Sequence, residues 1–268
     1  MKTLYVVPWY KCTLNCSHCN VKNRKVQENY TKFLEVLKST DVDNTILFGG
    51  EPLFNHDKFE EIILTGKINS VSTNLILPSS LQFSYFREVM LPLLTKYDIS
   101  IATSWNPNRF TSKREELWLN AIKELSSLDI LLLITLTEDL FTSTSIYEIL
   151  RKVELAGCKK FLFEPYISTK ECNDIADEWL CMFHDTYNGN MNNMLEEKLF
   201  NWNCNCDETY TLEPDGIIRK GCPDSLMIKE KYICEECLTC NFSEKCRPCK
   251  LQKTCSYPQK LLKKLKEN

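Results

Sequence analysis

The sequence predicts an α/β fold built on a parallel sheet, followed by a small cysteine-rich segment, and two observations carry that expectation. Short apolar runs alternate with longer amphipathic ones through the first part of the chain, the pattern of strands joined by crossover helices. Past Cys204 this periodicity stops, and nine of the fifteen cysteines crowd into residues 204–255.

Six strands are expected, at 3–8 (TLYVVP), 45–50 (TILFGG), 70–76 (SVSTNLI), 99–105 (ISIATSW), 130–136 (ILLLITL) and 160–166 (KFLFEPY). Helices are expected between them at about 31–39, 57–64, 80–96, 112–127 and 144–156, the last capped by Ser or Thr and ended by Gly157. A less regular helical stretch runs through 172–199. Right-handed crossovers curl such a run into a barrel or a doubly wound sheet, and in either the ligands gather at the carboxyl ends of the strands. A boundary near residue 200 divides the chain into 1–200 and 201–268, the second part closing with a basic, helical tail, YPQKLLKKLKEN.

The balance of 33 basic against 36 acidic residues gives a net charge of −3, so no positive field attracts nucleic acid or an anionic membrane. No run of eighteen apolar residues occurs, and the apolar part of MKTLYVVPWYKC is too short for a signal peptide. The expected location is the cytoplasm, where fifteen cysteines point to metal or redox work rather than disulfides. There is no internal repeat, glycine-rich phosphate loop or low-complexity tract.

Three thiols, Cys12, Cys16 and Cys19, stand in YKCTLNCSHCNVKN directly after the first strand, in CxxxCxxC spacing. Such a loop can present three thiolates to three irons of a cubane cluster and leave the fourth iron without a protein ligand. The alternative is a zinc site completed by His18 or a distant residue. The second strand ends in Gly49-Gly50-Glu51-Pro52, and both loops are expected at one mouth.

This pairing of CTLNCSHCN with GGEP resembles the radical S-adenosylmethionine (radical SAM) enzymes. The resemblance implies a partial (β/α)6 TIM-like barrel in which Cys12, Cys16 and Cys19 hold a 4Fe–4S cluster and S-adenosylmethionine chelates its open iron. It assigns recognition of the cofactor's amino group to Gly49 and Gly50, with Glu51 beside them. It places Ser104 against the ribose, with Thr103 as the alternative. Leu133 would pack on adenine and Thr135 or Thr137 would reach the ribose, although the glycines frequent in that fifth-strand motif are missing here. Thr73 and Asn74 stand at the corresponding end of the third strand, and Glu164 ends the sixth, where a carboxylate can bind substrate or move protons.

The tail resembles the SPASM extension of radical SAM enzymes. Cys206 leads to Gly216, and Cys222 follows after five residues where the pattern has four. Cys237-x2-Cys240-x5-Cys246-x2-Cys249 then runs on to Cys255, with two residues where the pattern has three. The resemblance implies two auxiliary 4Fe–4S clusters. Cys237, Cys240, Cys246 and Cys255 would hold one, and Cys222, Cys249 and one or both of Cys204 and Cys206 the other, with Cys234 as a substitute member. Structural zinc is the alternative, since CxxC pairs also build zinc ribbons. Cys158, Cys172 and Cys181 are left as isolated buried thiols.

The implied chemistry is reductive cleavage of S-adenosylmethionine to a 5′-deoxyadenosyl radical, fed by a flavodoxin- or ferredoxin-type donor, and hydrogen abstraction from a substrate C–H bond. The expected substrate is a peptide or protein to be crosslinked, epimerised or oxidised. The chain starts almost at its first strand, with no room for a leader-binding domain, so a separate recognition protein is expected. Pro223 stands directly after Cys222, where sulfatase-maturing relatives have an aspartate. The runner-up is dehydrogenation of a small alcohol or sugar. The reading of another class is a zinc-stabilised binding module without catalysis.

Overall fold

The computed structural model describes residues 2–16, 19, 21, 24–77, 81–143, 145–165, 179, 180, 182, 183, 185–193 and 208–223. All six expected strands are present: β1 (Thr3–Val6), β2 (Asn44–Leu47), β3 (Ser70–Ser72), β4 (Ser100–Trp105), β5 (Ile130–Leu136) and β6 (Lys160–Pro165). The third is shorter than expected. After Ser72 the chain turns, and Leu75 takes a φ of +55°, outside the extended range.

The expected helices follow as α1 (Tyr30–Ser39) and α2 (His56–Ile63), then three abutting segments, α3 (Gln82–Tyr85), a π-helical turn at Phe86–Met90 and α4 (Leu91–Lys96). Next come α5 (Ser112–Glu124), a short α6 (Glu138–Phe141) absent from the sequence reading, and α7 (Ser145–Leu155). The side chains of Asn29 and Thr111 accept hydrogen bonds from the third residue after them and so cap α1 and α5. Gly157 ends α7 as expected: its N–H reaches the Glu154 carbonyl and that of Cys158 the Val153 carbonyl, a Schellman closure.

Strands β1 to β6 pair in parallel and in chain order. A doubly wound sheet reverses its order at a switch point, and no reversal occurs here. Parallel crossovers are right-handed as a rule, and when all progress the same way the helices fall on one side and the sheet curls as an open barrel. Side-chain burial agrees. One face of the strands, carrying Leu4, Val6, Leu47, Val71, Ile101, Trp105, Leu132 and Phe161, is buried with the apolar residues of the helices in a single core. Thr103 belongs to this helix-facing side, where its Oγ1 accepts from Trp118 Nε1 at 2.9 Å. The opposite face carries Tyr5, Ile46, Ser72, Ala102, Ser104, Leu133, Thr135 and Glu164, all only half-buried. Residues on that second face are the ones placed to line a ligand space.

Regular structure does not stop at Cys204. Strand β8 (Thr209–Leu212) pairs parallel to β1 on its outer edge, and β9 (Ile218–Lys220) pairs antiparallel to β8. Strands of four and three residues are too short to show periodicity, and the turn between them dominates the composition. The boundary expected near residue 200 falls before these two strands. Within the expected helical stretch 172–199, residues 179, 180, 182, 183, 185 and 186 are helical, but β7 (Asn192–Asn193) instead pairs with β6. Asn and Gly are poor helix formers, and NGNMNN concentrates them there. Among the described residues, no helix is long and apolar enough to cross a membrane.

Candidate metal and cofactor site

The cysteine loop leaves the end of β1 and is pinned to the ends of β2 and β3. Gly50 N–H donates to the Trp9 carbonyl at 3.1 Å, Glu51 N–H donates to the Lys11 carbonyl at 2.9 Å, and Trp9 Nε1 donates to the Glu51 carbonyl at 2.6 Å. The glycines are required for this approach. A Cβ on Gly50 would lie 2.2 Å from the Lys11 oxygen and 2.4 Å from that of Tyr10, and one on Gly49, whose φ is +138°, would lie 2.6 Å from the Trp9 oxygen. The close contact that excludes a side chain here is with the backbone leading into the cysteines. Gly50→Ala must therefore displace that backbone at a cost of roughly 1–3 kcal/mol. Its expected result is a larger loss of bound iron than of melting temperature, read by iron assay and thermal unfolding of the same preparation.

Glu51 is 1% exposed. Its Oε1 accepts from Thr73 Oγ1 at 2.6 Å and from Leu53 N–H at 2.9 Å, and its Oε2 accepts from Asn74 N–H at 2.7 Å. Burial raises its pKa, against the lowering by these donors and by the nearby Arg109 guanidinium. Asn74 continues the connection, since its Nδ2 donates to Cys12 Sγ at 3.6 Å and to Thr13 Oγ1 at 3.3 Å. The ends of the first three strands thus form one hydrogen-bonded unit that supports Cys12.

Within the loop, Leu14 N–H donates to Cys12 Sγ at 3.4 Å and Cys19 N–H to the Cys16 carbonyl at 3.3 Å. Cys12 is exposed overall, yet partial desolvation of its sulfur is the largest influence on its pKa and raises it, with Arg109 among the groups opposing the shift. Among the described residues no three His, Cys, Asp or Glu converge on a single metal ion. Cysteine thiolates are the donors that a 4Fe–4S cubane takes, one to each iron, and Cys12, Cys16 and Cys19 supply three of them. His18 lies outside the described residues.

The remaining sequence-predicted residues divide by face and by description. Ser104 and Leu133 are cross-strand partners, as are Thr135 and Glu164, and all four occupy the half-open face of the barrel. Thr103 does not share it. Thr137 is buried just past β5, and its Oγ1 accepts from Asn106 Nδ2 at 3.3 Å. Cys222 is half-buried just past β9. Cys204, Cys206, Cys237, Cys240, Cys246, Cys249 and Cys255 lie outside the described residues, as do Cys172, Cys181 and Cys234. Cys158 is the expected buried thiol: it donates to the Ile130 carbonyl at 3.3 Å, and burial pushes its pKa up.

Sequence reasoning missed Arg109 and a set built on Glu213. Arg109 belongs to no motif, but it follows β4 at the mouth and exerts a field on both Cys12 and Glu51. Glu213 is fully buried and is bonded by Tyr10, Arg24 and Arg219. In the sequence Glu213 carries no signal beyond its place in the turn-like stretch EPDG, residues 213–216. A cleft of about 450 Å³ lies beside it, bordered by Tyr10, Lys11, Cys12, Arg24 and Pro214.

Residues 3–120 match a family model described as a 4Fe-4S single cluster domain. Among solved structures, SuiB of Streptococcus suis is similar with a TM-score of 0.62 at 15% identity, over 91% of this chain and 71% of SuiB. SuiB bound to S-adenosylmethionine is similar with a TM-score of 0.63 at 16% identity, over 91% and 71%. SuiB bound to precursor peptide SuiA gives 0.60 at 15%, over 91% and 70%. No curated protein sequence matches the chain.

Proposed function

We propose that this protein is a radical SAM enzyme that modifies a peptide. The observation that carries the reading is the Cys12, Cys16 and Cys19 loop, fastened by backbone hydrogen bonds to the Gly49–Glu51 turn at the mouth of an open barrel. Its support from relatives is the shared fold of SuiB, whose structures include complexes with S-adenosylmethionine and with precursor peptide SuiA.

When bound, a 4Fe–4S cluster supplies the electron that cleaves S-adenosylmethionine to methionine and a 5′-deoxyadenosyl radical. The three cysteines would hold it, and the backbone of Gly49 and Gly50 would face the amino end of the cofactor. Glu51 spends three hydrogen bonds on the barrel itself, which makes it chiefly a support for that turn. Arg109 supplies positive charge at the same mouth and suits the cofactor's carboxylate. Ser104 and Thr135 offer hydroxyls for the ribose, Leu133 an apolar surface for adenine, and Glu164, the partner of Thr135, a carboxylate on the substrate side. The tail cysteines would hold auxiliary clusters able to take a second electron. A flavodoxin- or ferredoxin-type protein would be the electron donor, a separate protein would present the peptide, and the cytoplasm would be the site of action.

The test is anaerobic reconstitution. The expected protein is brown, carries about twelve irons if all three clusters form, and makes 5′-deoxyadenosine with dithionite and S-adenosylmethionine. Colourless protein that retains zinc and makes none would establish the non-catalytic binding module instead.

A further inference from the structure

We propose that Glu213 is the positioning residue that shapes the cysteine loop, fastening both of its shoulders to the β8–β9 hairpin so that assembly of the first cluster depends on this part of the chain. The inference rests on the assignment of Cys12, Cys16 and Cys19 as ligands. Tyr10 stands two residues before Cys12, and Arg24 five residues after Cys19. Both end on the same carboxylate. Glu213 Oε1 accepts from Tyr10 OH at 2.6 Å and from Arg24 Nε at 2.6 Å, while Oε2 accepts from Arg24 Nη2 at 2.7 Å and from Arg219 Nη1 at 2.8 Å. Four donors use the full acceptor capacity of a carboxylate, and the guanidinium of Arg24 grips it with two parallel bonds.

The hairpin that carries Glu213 is itself anchored. Val7 N–H donates to the Leu212 carbonyl at 2.9 Å, and Asn29 N–H donates to the Pro214 carbonyl at 2.7 Å at the start of α1. Gly216 lies against α1 so closely that a Cβ there would fall 2.9 Å from the Lys32 carbonyl carbon and the Phe33 nitrogen. Asp215 holds Arg219 from its other side at 2.7 Å, which balances the second guanidinium. Past β9, Thr211 Oγ1 donates to the Gly221 carbonyl at 2.7 Å, next to Cys222. One hairpin therefore carries the clasp for the radical-cluster loop at its tip and a candidate auxiliary ligand at its end.

A fully buried carboxylate that meets an arginine and a tyrosine from opposite ends of one loop does more than stabilise a sheet edge. It sets the distance between the shoulders of the loop, so the three thiols are presented in a fixed arc before iron arrives. Losing the clasp would free the loop while leaving the barrel core, which shares none of these contacts, intact.

The test uses the full chain in two states. In the metal-free protein, hydrogen exchange of residues 10–24 should be at least about 10-fold faster in Glu213→Gln than in the parent, with β4 to β6 unchanged. In the reconstituted protein, the same variant should lose at least about fivefold of the electron paramagnetic resonance signal that S-adenosylmethionine perturbs, while signals insensitive to it persist. Arg24→Gln should reproduce both effects and Arg24→Lys should restore part of them, which keeps the proposal testable if Glu213→Gln folds poorly. Unchanged exchange in 10–24, or a full S-adenosylmethionine-sensitive signal in both variants, would overturn the clasp. A parent protein that binds zinc instead of iron would overturn the cluster assignment and leave the exchange result readable.

Discussion

Replacing Cys12, Cys16 and Cys19 together by alanine abolishes 5′-deoxyadenosine formation, the largest effect expected of any substitution in this chain. On the proposed reading each thiolate would hold a different iron, so the triple variant would retain no protein ligand for the first cluster. The rest of the molecule should be spared. Cys12 is exposed and Cys16 and Cys19 are only half-buried, so their loss removes little from the core and the melting temperature should barely move. If the two proposed auxiliary clusters form, iron should fall from about twelve to about eight per chain. Production of 5′-deoxyadenosine at the parent rate would refute the assignment, and the retained melting temperature would show that misfolding is not the cause of a loss.

Glu51→Ala should destabilise the metal-free chain by roughly 3 kcal/mol, because it strands the Thr73 hydroxyl and the N–H groups of Leu53 and Asn74 in a buried position. The carboxylate is a costly anchor, and its pH dependence follows from that cost. Burial raises the folded-state pKa above the unfolded one, so between the two values the folded protein holds more protons than the unfolded chain. The contribution of Glu51 is therefore most favourable below the ordinary carboxylate range and declines as pH rises through the raised value. Urea midpoints of the metal-free parent should fall as pH rises above the ordinary carboxylate range, relative to those of Glu51→Gln, which cannot titrate. Parallel profiles for the two proteins would contradict the buried-charge account.

Much of the barrel was legible because its elements are long and periodic. Strand β5 alternates buried and half-buried positions without a break over its seven residues, and α5 and α7 carry their apolar positions at helical spacing. Cys12, Cys16 and Cys19 could be found because thiol spacing is itself a chemical constraint, and Gly49–Gly50 because a strand that ends in two glycines asks what comes close. What came close was not visible in the sequence. The crowding partner is the backbone of Trp9, Tyr10 and Lys11, some forty residues away in sequence.

The choice between Thr103 and Ser104 shows the same division on a smaller scale. Adjacent residues of a strand point to opposite faces, so only one of the two can meet a ligand in the barrel. The alternation was evident in the sequence, but which parity faced the helices depended on Trp118, whose indole N–H claims Thr103.

The sequence by itself determined the order of the first six strands and the main helices between them, the place of the thiol loop after the first strand, and the chemistry that three cysteines beside a glycine turn can support. Local periodicity and ligand spacing encode those features over a few residues. The tertiary structure alone decided that Glu51 is bound up in holding strand ends together, that Arg109 stands at the mouth, and that Glu213 grips Tyr10 and Arg24. Each is a contact between residues far apart in sequence, and a buried charge finds its partners by the packing of the sheet and not by its neighbours along the chain.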